Sequence, residues 1–172
     1  FQQKLSRNFY GVFAYTYFFS EFSGLNQILR PSVWDSRHLI SFTGGYKLKR
    51  NWEVSARWRF AGKNPYVPTN IEASALSYPE IILDYDRLGD LKLDAFNLAD
   101  IRIDKKWNFK DLSFNLYFEV QNFLAQPNPT PPEYGLNRAE DGSLVSPRSL
   151  ISVSTSGGNS TPLPTLGFVL YF

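Results

Sequence analysis

The chain has 172 residues, of which 43% are hydrophobic and 17% aromatic, and its formal net charge is +2 at pH 7. This charge is too small to indicate a nucleic-acid-binding protein, and the basic residues do not form a cluster. The absence of cysteine excludes disulfides and thiolate metal sites, and a single histidine, His38, leaves little for a metal centre. We therefore expect no metal, no cofactor and no nucleic-acid partner.

Aromatic residues are abundant, with 15 Phe, 10 Tyr and 4 Trp, although the mean hydropathy is only −0.28. No apolar run approaches the ~18 residues of a transmembrane helix. This combination is typical of transmembrane β-barrels, in which lipid-facing residues alternate with polar lumen-facing ones and aromatic residues line both interfaces. The chain also lacks methionine, so we expect a mature product or a fragment of a longer protein.

Six segments show the period-two alternation of a β-strand. The first, residues 7–20, is rich in aromatic and β-branched residues on both faces, which favours a strand over a helix. The alternation is clearest in residues 52–61, where Trp52, Trp58 and Phe60 face one way and charged side chains face the other. The predicted strands lie near residues 7–20, 37–48, 52–61, 97–107, 112–122 and 164–172.

The connections between these strands alternate between short and long. Residues 49–51 and 108–111 are tight turns that close two hairpins. Residues 21–36, 62–96 and 123–163 are long connections punctuated by proline and glycine. Outer-membrane barrels have short periplasmic turns and long extracellular loops, so the three long segments are predicted to be extracellular.

The chain ends on an apolar strand, in which Leu166, Phe168, Leu170 and Phe172 fall on one side. Termini of soluble proteins are usually solvated and frayed, whereas a strand that closes a transmembrane barrel carries lipid-facing residues and an interfacial aromatic residue. The pattern resembles the C-terminal signal by which bacterial outer-membrane proteins are recognised for barrel assembly. The alternative is the buried last strand of a soluble sandwich.

Several short motifs occur in an order and spacing that resemble a known family. They are Trp34-Asp35-Ser36-Arg37-His38, Asn51-Trp52-Glu53, Arg57-Trp58-Arg59-Phe60, Gly62-Lys63-Asn64-Pro65-Tyr66-Val67-Pro68, Asp100-Ile101-Arg102-Ile103-Asp104-Lys105-Lys106-Trp107, Phe118-Glu119-Val120-Gln121-Asn122-Phe123, Asn128-Pro129 and the terminal strand. From Trp34 to Phe172 the series resembles the C-terminal end of TonB-dependent outer-membrane receptors, especially those of Bacteroidota. One departure is Asn97-Leu98-Ala99-Asp100-Ile101-Arg102-Ile103, where the family tends to show Arg-Leu-Asp-Leu-Arg-Ile.

The resemblance implies an all-β fold, in which this chain forms the last six strands or so of a transmembrane antiparallel barrel of about 22 strands. It also implies a bacterial outer-membrane location and the uptake of a bulky solute, such as a siderophore, cobalamin, a glycan or a peptide, without enzymatic activity. The implied partners are the rest of the barrel and its plug, the lipid bilayer, and the TonB system acting through the plug. The resemblance also implies two further partners. One is the barrel assembly machinery, which recognises the C-terminal strand, and the other, in some members of the family, is a surface lipoprotein.

In such a barrel the charged faces of the strands point into the lumen. They line a polar path for the solute or hold the plug, or they only pair across neighbouring strands and stabilise the wall. The prolines and aromatic residues of segments 62–96 and 123–163 are candidates for a rim that captures solute by stacking, with packing of one loop on another as the alternative. The lumen-facing candidates are Glu53, Arg57, Arg59, Asp100, Arg102, Asp104, Glu119 and Gln121.

Two other classes of protein fit the pattern. If residues 76–85 and 148–155 form two further strands, the chain is a complete small barrel of about eight strands that acts as an adhesin, an anchor or a rim hydrolase. A rim hydrolase would use His38, with Asp35 or the Asp84–Asp86 pair, to activate water. The third class is a soluble β-sandwich that binds a ligand or partner.

Overall fold

The structure is a computed structural model of the chain, and it describes residues 1–154 and 160–172. Strands dominate it, and one short helix, α1 (Ile71–Ser77), interrupts a long connection. The strands are β1 (Gln2–Ser6), β2 (Phe9–Tyr17), β3 (Glu21–Ser23), β4 (Leu29–Pro31), β5 (His38–Lys47), β6 (Trp52–Ala61), β7 (Pro65–Tyr66), β8 (Leu91–Lys92), β9 (Phe96–Asn108), β10 (Ser113–Gln121), β11 (Glu133–Leu136), β12 (Leu150–Ser154) and β13 (Leu163–Tyr171).

Seven of these strands form one antiparallel sheet, the main sheet, with the order β1-β2-β5-β6-β9-β10-β13. Each strand of the main sheet therefore pairs with its sequence neighbour in that sheet, as in a meander. Within the described residues, β1 pairs only with β2 and β13 only with β10. Among the described residues, the main sheet thus has two free edges and does not close into a barrel.

Each of the six predicted segments overlaps one strand of the main sheet, and the chain has the β-rich fold that the alternation predicts. The seventh strand, β1, was not predicted, because Gln2-Gln3-Lys4 shows no apolar alternation and the strand is defined by its pairing with β2. The first predicted strand is shorter than expected, since only Phe9–Tyr17 pairs with β5.

The prediction that segments 76–85 and 148–155 add two further strands to the main sheet is wrong. Residues 76 and 77 end α1, which begins because the Asn70 side chain accepts a hydrogen bond from Ala73 N at 3.0 Å and caps the helix. Residues 85–87 form a single 3₁₀ turn. Segment 148–155 does contain β12, but β12 pairs with β11 in a separate two-stranded ribbon; Thr155 lies outside the described residues.

The register of the main sheet gives it one apolar and one polar face. Directly paired residues of antiparallel strands point to the same side, and rows such as Phe42–Trp58–Ala99 and Leu116–Phe168 run from strand to strand. The apolar face comprises Phe9, Phe13, Tyr15, Ile40, Phe42, Tyr46, Val54, Trp58, Phe60, Ile101, Ile103, Phe114, Leu116, Phe118, Val120, Leu166, Phe168 and Leu170. The polar face carries the alternate residues.

The apolar face is open to its surroundings along much of its width. Phe13 is 41% exposed, Phe118 46%, Phe168 64% and Leu166 70%. The buried hydrophobic residues are few and small or lie among the loops, namely Ala75, Leu88, Ala99 and Leu150. Within the described residues, no helix is long and apolar enough to cross a membrane.

The two ends of the main sheet differ in the length of their connections. At one end the chain turns tightly, through Arg50 and Asn51 with φ of 60° and 58° between β5 and β6, and through a Phe109 N to Leu112 O hydrogen bond of 2.8 Å between β9 and β10. At the other end the three long connections form the ribbons β3–β4, β7–β8 and β11–β12. The long connections therefore all lie at the same end of the strands of the main sheet, opposite the short turns.

Candidate functional site: the polar face and the loop cavity

All eight predicted lumen-facing residues lie on the polar face of the main sheet. In the register of β6, β9 and β10, Glu53 is opposite Asp104, Arg57 is opposite Asp100, and Arg102 is opposite Glu119. Arg59 and Gln121 occupy the same face further toward the long connections, opposite Leu98 and Leu163. The alternation of the sequence thus predicted that these residues share a face, and the strand register shows that they form one continuous surface.

A buried carboxylate organises the loop-side part of this surface. Asp100 is 4% exposed, and its Oδ2 accepts hydrogen bonds from Arg57 at 2.9 Å. Its Oδ1 accepts a hydrogen bond from the backbone N of Asn122 at 2.9 Å. Both oxygens of Asp100 are therefore occupied, so this carboxylate ties β6 to the end of β10 and has little capacity left for a solute.

A second ion-pair group lies nearer the short turns. Arg102 donates to both carboxylate oxygens of Asp104, at 2.8 and 2.7 Å, and its Nη1 lies 3.8 Å from Glu119. Asn115 donates to Asp104 Oδ1 at 2.8 Å. A bidentate Arg–carboxylate pair is the strong form of this interaction. This pair lies within β9, and Glu119 and Asn115 join it from β10.

Two tyrosines complete the polar face, each lying across a glycine of the next strand. The hydroxyl of Tyr10 donates to Glu53, and a Cβ at the paired Gly45 would collide with the Tyr10 ring. The ring of Tyr117 lies 3.8 Å from the guanidinium of Arg102, and a Cβ at the paired Gly167 would collide with that ring. The alternation places both tyrosines on the polar face, but only the register reveals the glycines that make room for them.

Arg59 and Gln121 stand apart from these groups. Neither side chain forms an ion pair or hydrogen bond with the residues that the structure describes. The other six candidates therefore have side-chain partners on the polar face, whereas no side-chain partner of Arg59 or Gln121 is found among the described residues.

The predicted assembly-signal residues occupy the apolar face of the last strand. Leu166, Phe168 and Leu170 pair directly with Phe118, Leu116 and Phe114 of β10. Phe172 follows β13 and is 97% exposed. These residues form one apolar row along a free edge of the main sheet.

The three long connections line an open cavity of about 680 Å³, the loop cavity. This volume is typical of a small-molecule site. Its lining is mainly apolar and includes the indole of Trp34 from the first connection. The lining residues are Val33, Trp34, Asn64, Pro65, Tyr66, Val67, Thr69, Ile81, Leu83, Leu93, Pro131, Pro132, Glu133 and Tyr134.

The loop cavity has a small number of polar groups in its apolar lining. Burial and the neighbouring Tyr134 phenol raise the pKa of Tyr66 above its ordinary value, so Tyr66 remains a hydrogen-bond donor at neutral pH. The Oδ1 of Asn64 is buried and forms no hydrogen bond with the described residues. Such a lining fits a ring-bearing or aliphatic group with few polar atoms.

Three of the residues considered for a rim hydrolase, His38, Asp35 and Asp86, have other partners. His38 Nδ1 lies 2.9 Å from the hydroxyl of Tyr15, while Asp35 is an ion-pair partner of Arg37 at 3.0 Å and accepts a hydrogen bond from Ser20 N. Asp86 pairs with Arg30 at 3.1 Å. Among the described residues, no group of three or more histidine, aspartate and glutamate side chains is placed to hold a metal ion.

Comparison of the chain with protein-family models, with curated proteins and with solved structures gives no match. The class of molecule is therefore defined by the fold itself. It is a β-rich chain with a seven-stranded antiparallel sheet, one polar and one exposed apolar face, and long connections at one end.

Proposed function

We propose that residues 1–172 form part of the wall of a transmembrane β-barrel in the bacterial outer membrane, and that the barrel takes up a bulky solute in a TonB-dependent manner. The observation that carries this proposal is the exposed apolar face behind a polar face of paired charges. The uptake mechanism and the TonB system enter through the resemblance of motifs between Trp34 and Phe172. The solute is drawn from classes such as siderophores, glycans or peptides.

The energetics of the apolar face favour a lipid environment. Burying one large apolar side chain is worth about 1.5–3 kcal/mol relative to leaving it in water, and this face presents many such chains. A soluble sandwich would cover the face with a second layer, whereas lipid covers it without one. The polar face then borders a water-filled lumen, where the network around Asp100 and Arg102 holds the wall strands together.

The free edges of β1 and β13 support a barrel larger than seven strands. Unpaired backbone N–H and C=O groups cost several kcal/mol each in hydrocarbon, so each edge needs a neighbouring strand. The rest of the barrel, and a plug within it, would supply these neighbours. The smaller eight-stranded alternative is less well supported, because segments 76–85 and 148–155 add no strand to the main sheet.

The loop cavity supports a role for the long connections in solute capture. On the extracellular side of such a barrel, Trp34, Tyr66 and Tyr134 would present aromatic surfaces to a solute before it reaches the lumen. Arg59 and Gln121 lie on the polar face toward the same end. Their side chains form no hydrogen bond or ion pair with the described residues. We propose that these features contribute to a route for the solute from the loops to the wall of the lumen.

The first experiment tests the location and size of the intact protein that contains these residues. Cell envelopes are fractionated, washed with carbonate and extracted in detergent, and the protein is analysed by intact mass and by electrophoresis before and after boiling. We expect an outer-membrane protein several times the 19.8 kDa of this chain, whose mobility changes on boiling. Release by carbonate without detergent would contradict the proposal.

The second experiment tests the uptake function. Cells lacking the gene and cells lacking TonB are compared with the parent for accumulation of labelled ferric siderophores, cobalamin, oligosaccharides and peptides. We expect one solute class to be lost in both strains, and Trp34→Ala with Tyr134→Ala to reduce its uptake. Leu25→Ala, in the same set of connections but outside the cavity lining, serves as the control. Unchanged accumulation of every class would contradict TonB-dependent uptake while leaving the wall assignment intact.

A further inference from the structure

A cationic side chain interrupts the apolar face where it reaches the short turns. Lys105 pairs with Trp52 on one side and with Leu116 on the other, so it points to the same side as the apolar residues. Its ammonium lies 5.3 Å from the ring centroid of Trp52 and 5.5 Å from that of Trp107. It also donates a hydrogen bond to the carbonyl oxygen of Arg50. The charge is thus held between two indole rings at the border of the apolar face.

The charges of the chain are distributed unevenly between its two ends. Asp111 is the acidic residue in the short turns, and Glu53 and Asp104 nearby are engaged by Tyr10 and Arg102 on the polar face. Most other carboxylates belong to the long connections. The cationic residues in or beside the short turns are Arg7, Lys47, Lys49, Arg50, Lys105, Lys106 and Lys110. The short-turn end therefore carries a positive potential, which attracts anions within about a Debye length of 8–10 Å.

We propose that Trp52, Lys105 and Trp107 bind the headgroup phosphate of an anionic phospholipid in the leaflet on the short-turn side. This inference rests on the proposed function, because it requires the apolar face to lie in lipid. The Lys105 ammonium has three N–H donors. One of them binds the carbonyl oxygen of Arg50, so the other two remain for a phosphate. The indole rings lie at the depth where aromatic belts meet headgroups, and the acyl chains extend along the apolar face.

An anionic headgroup fits this cluster better than a zwitterionic one. A zwitterionic headgroup carries its own cation beside the phosphate, which the positive potential of the turn end opposes. Each basic residue near an anionic membrane surface contributes enough attraction for about a fivefold change in binding. We therefore expect selective enrichment of an anionic lipid at Lys105.

The neighbouring Lys106 provides a matched control. It is opposite Asn115 and lies 5.2 Å from the ring of Tyr171 on the polar face. Lys105 and Lys106 thus have the same side chain at the same level of the membrane but opposite orientations. Replacing either by glutamine removes one charge from the turn end, and only Lys105→Gln removes it from the lipid-facing cluster.

The test uses the intact protein reconstituted in phosphatidylcholine nanodiscs that contain a minor fraction of brominated phosphatidylglycerol or brominated phosphatidylcholine. Bromine quenches tryptophan emission at short range. The emission of Trp52 and Trp107 is isolated by subtracting the spectrum of the Trp52→Phe, Trp107→Phe protein. We expect brominated phosphatidylglycerol to quench at about one fifth of the concentration needed for brominated phosphatidylcholine, in the wild type and in Lys106→Gln.

In Lys105→Gln the two lipids are expected to quench equally, and Lys105→Arg is expected to restore the preference. Equal quenching in the wild type, or equal loss of preference in Lys105→Gln and Lys106→Gln, would overturn the phosphate site while leaving the apolar face in lipid. Quenching by neither brominated lipid would overturn both the site and the proposed membrane wall. A change in mobility on boiling, measured for every variant, verifies that each barrel is assembled.

Discussion

The two faces of the main sheet are built on the same strands but follow opposite rules. On the polar face, charges such as Arg57 with Asp100 and Arg102 with Glu119 are paired across neighbouring strands. On the apolar face, Phe118, Leu166 and Phe168 remain exposed. In a water-soluble sheet the exposed face carries the charges, and our proposal of a lipid-facing wall rests on the reversal of this arrangement.

The largest effect is expected from a charge placed on the apolar face. Phe118→Arg would put a guanidinium on the lipid side of β10, which destabilises a membrane barrel by about 2–4 kcal/mol near the midplane. The free energy of unfolding in lipid vesicles, measured by urea titration, checks this value. Thr165→Arg is the control, because Thr165 lies on the polar face opposite Glu119, where a cation gains a partner. Equal destabilisation by both variants would show that the two faces are equivalent.

A smaller loss is expected when the polar face loses its buried carboxylate. Asp100→Ala removes the acceptor of both Arg57 and Asn122 N, and leaving a buried donor unpaired costs about 1–3 kcal/mol. Thermal unfolding in detergent is the measurement. Glu119→Gln is the comparison, because Arg102 keeps its bidentate pair with Asp104, and we expect a midpoint close to that of the wild type. An Asp100→Ala protein as stable as the wild type would show that the network does not hold the wall.

The tyrosine–glycine pairs give a still smaller, local effect. In Gly45→Ala the new methyl group meets the ring of Tyr10, which must turn away and lose its hydrogen bond to Glu53. We expect a loss of about 1 kcal/mol, measured by the same thermal unfolding. Gly24→Ala is the control, since its Cβ meets only Asn26 Oδ1 at 3.5 Å. Equal stability of the two variants would place Tyr10 outside the network.

The smallest effect on stability is expected at Arg59. Because Arg59 has no ion pair with the described residues, Arg59→Gln should change the unfolding free energy by no more than about 0.5 kcal/mol. Solute uptake, by contrast, should fall if this unpaired cation contacts the solute in the lumen. Arg57→Gln is the matched comparison and should lose stability instead. A marked loss of stability in Arg59→Gln would assign Arg59 to the structural network.

The sequence predicted the strands and their faces, because alternation with period two is a local property that residues such as Trp58 and Arg59 display side by side. Strand β1 was missed because its definition depends on pairing with β2 rather than on its own residues. Helix α1 was missed because the Asn70 cap lies within a segment interrupted by prolines. Alternation within residues 7–20 puts Tyr10 on the same side as Ala14 and Thr16, but its position over Gly45 depends on the register, which alternation does not specify.

The loop cavity shows a further limit of prediction from the sequence. Aromatic residues and prolines in segments 62–96 and 123–163 were predicted to form a capturing rim, and Tyr66, Pro131 and Tyr134 do line the cavity. The contribution of Trp34 from the first long connection was not predicted. The order of the strands in the main sheet brings long connections from different parts of the chain together. Their mutual contacts therefore cannot be derived from local sequence patterns.

Single-cysteine labelling of β10 tests the central assignment most directly. The chain has no cysteine, so one thiol at a time can be introduced at each position from Phe114 to Gln121 in an intact protein freed of other thiols. Each variant in outer membranes is treated with a lipid-soluble or a water-soluble maleimide. The assignment predicts alternation: the lipid-soluble reagent labels positions 114, 116, 118 and 120, and the water-soluble reagent labels 115, 117, 119 and 121. Labelling of both sets by the water-soluble reagent would contradict a lipid-facing wall.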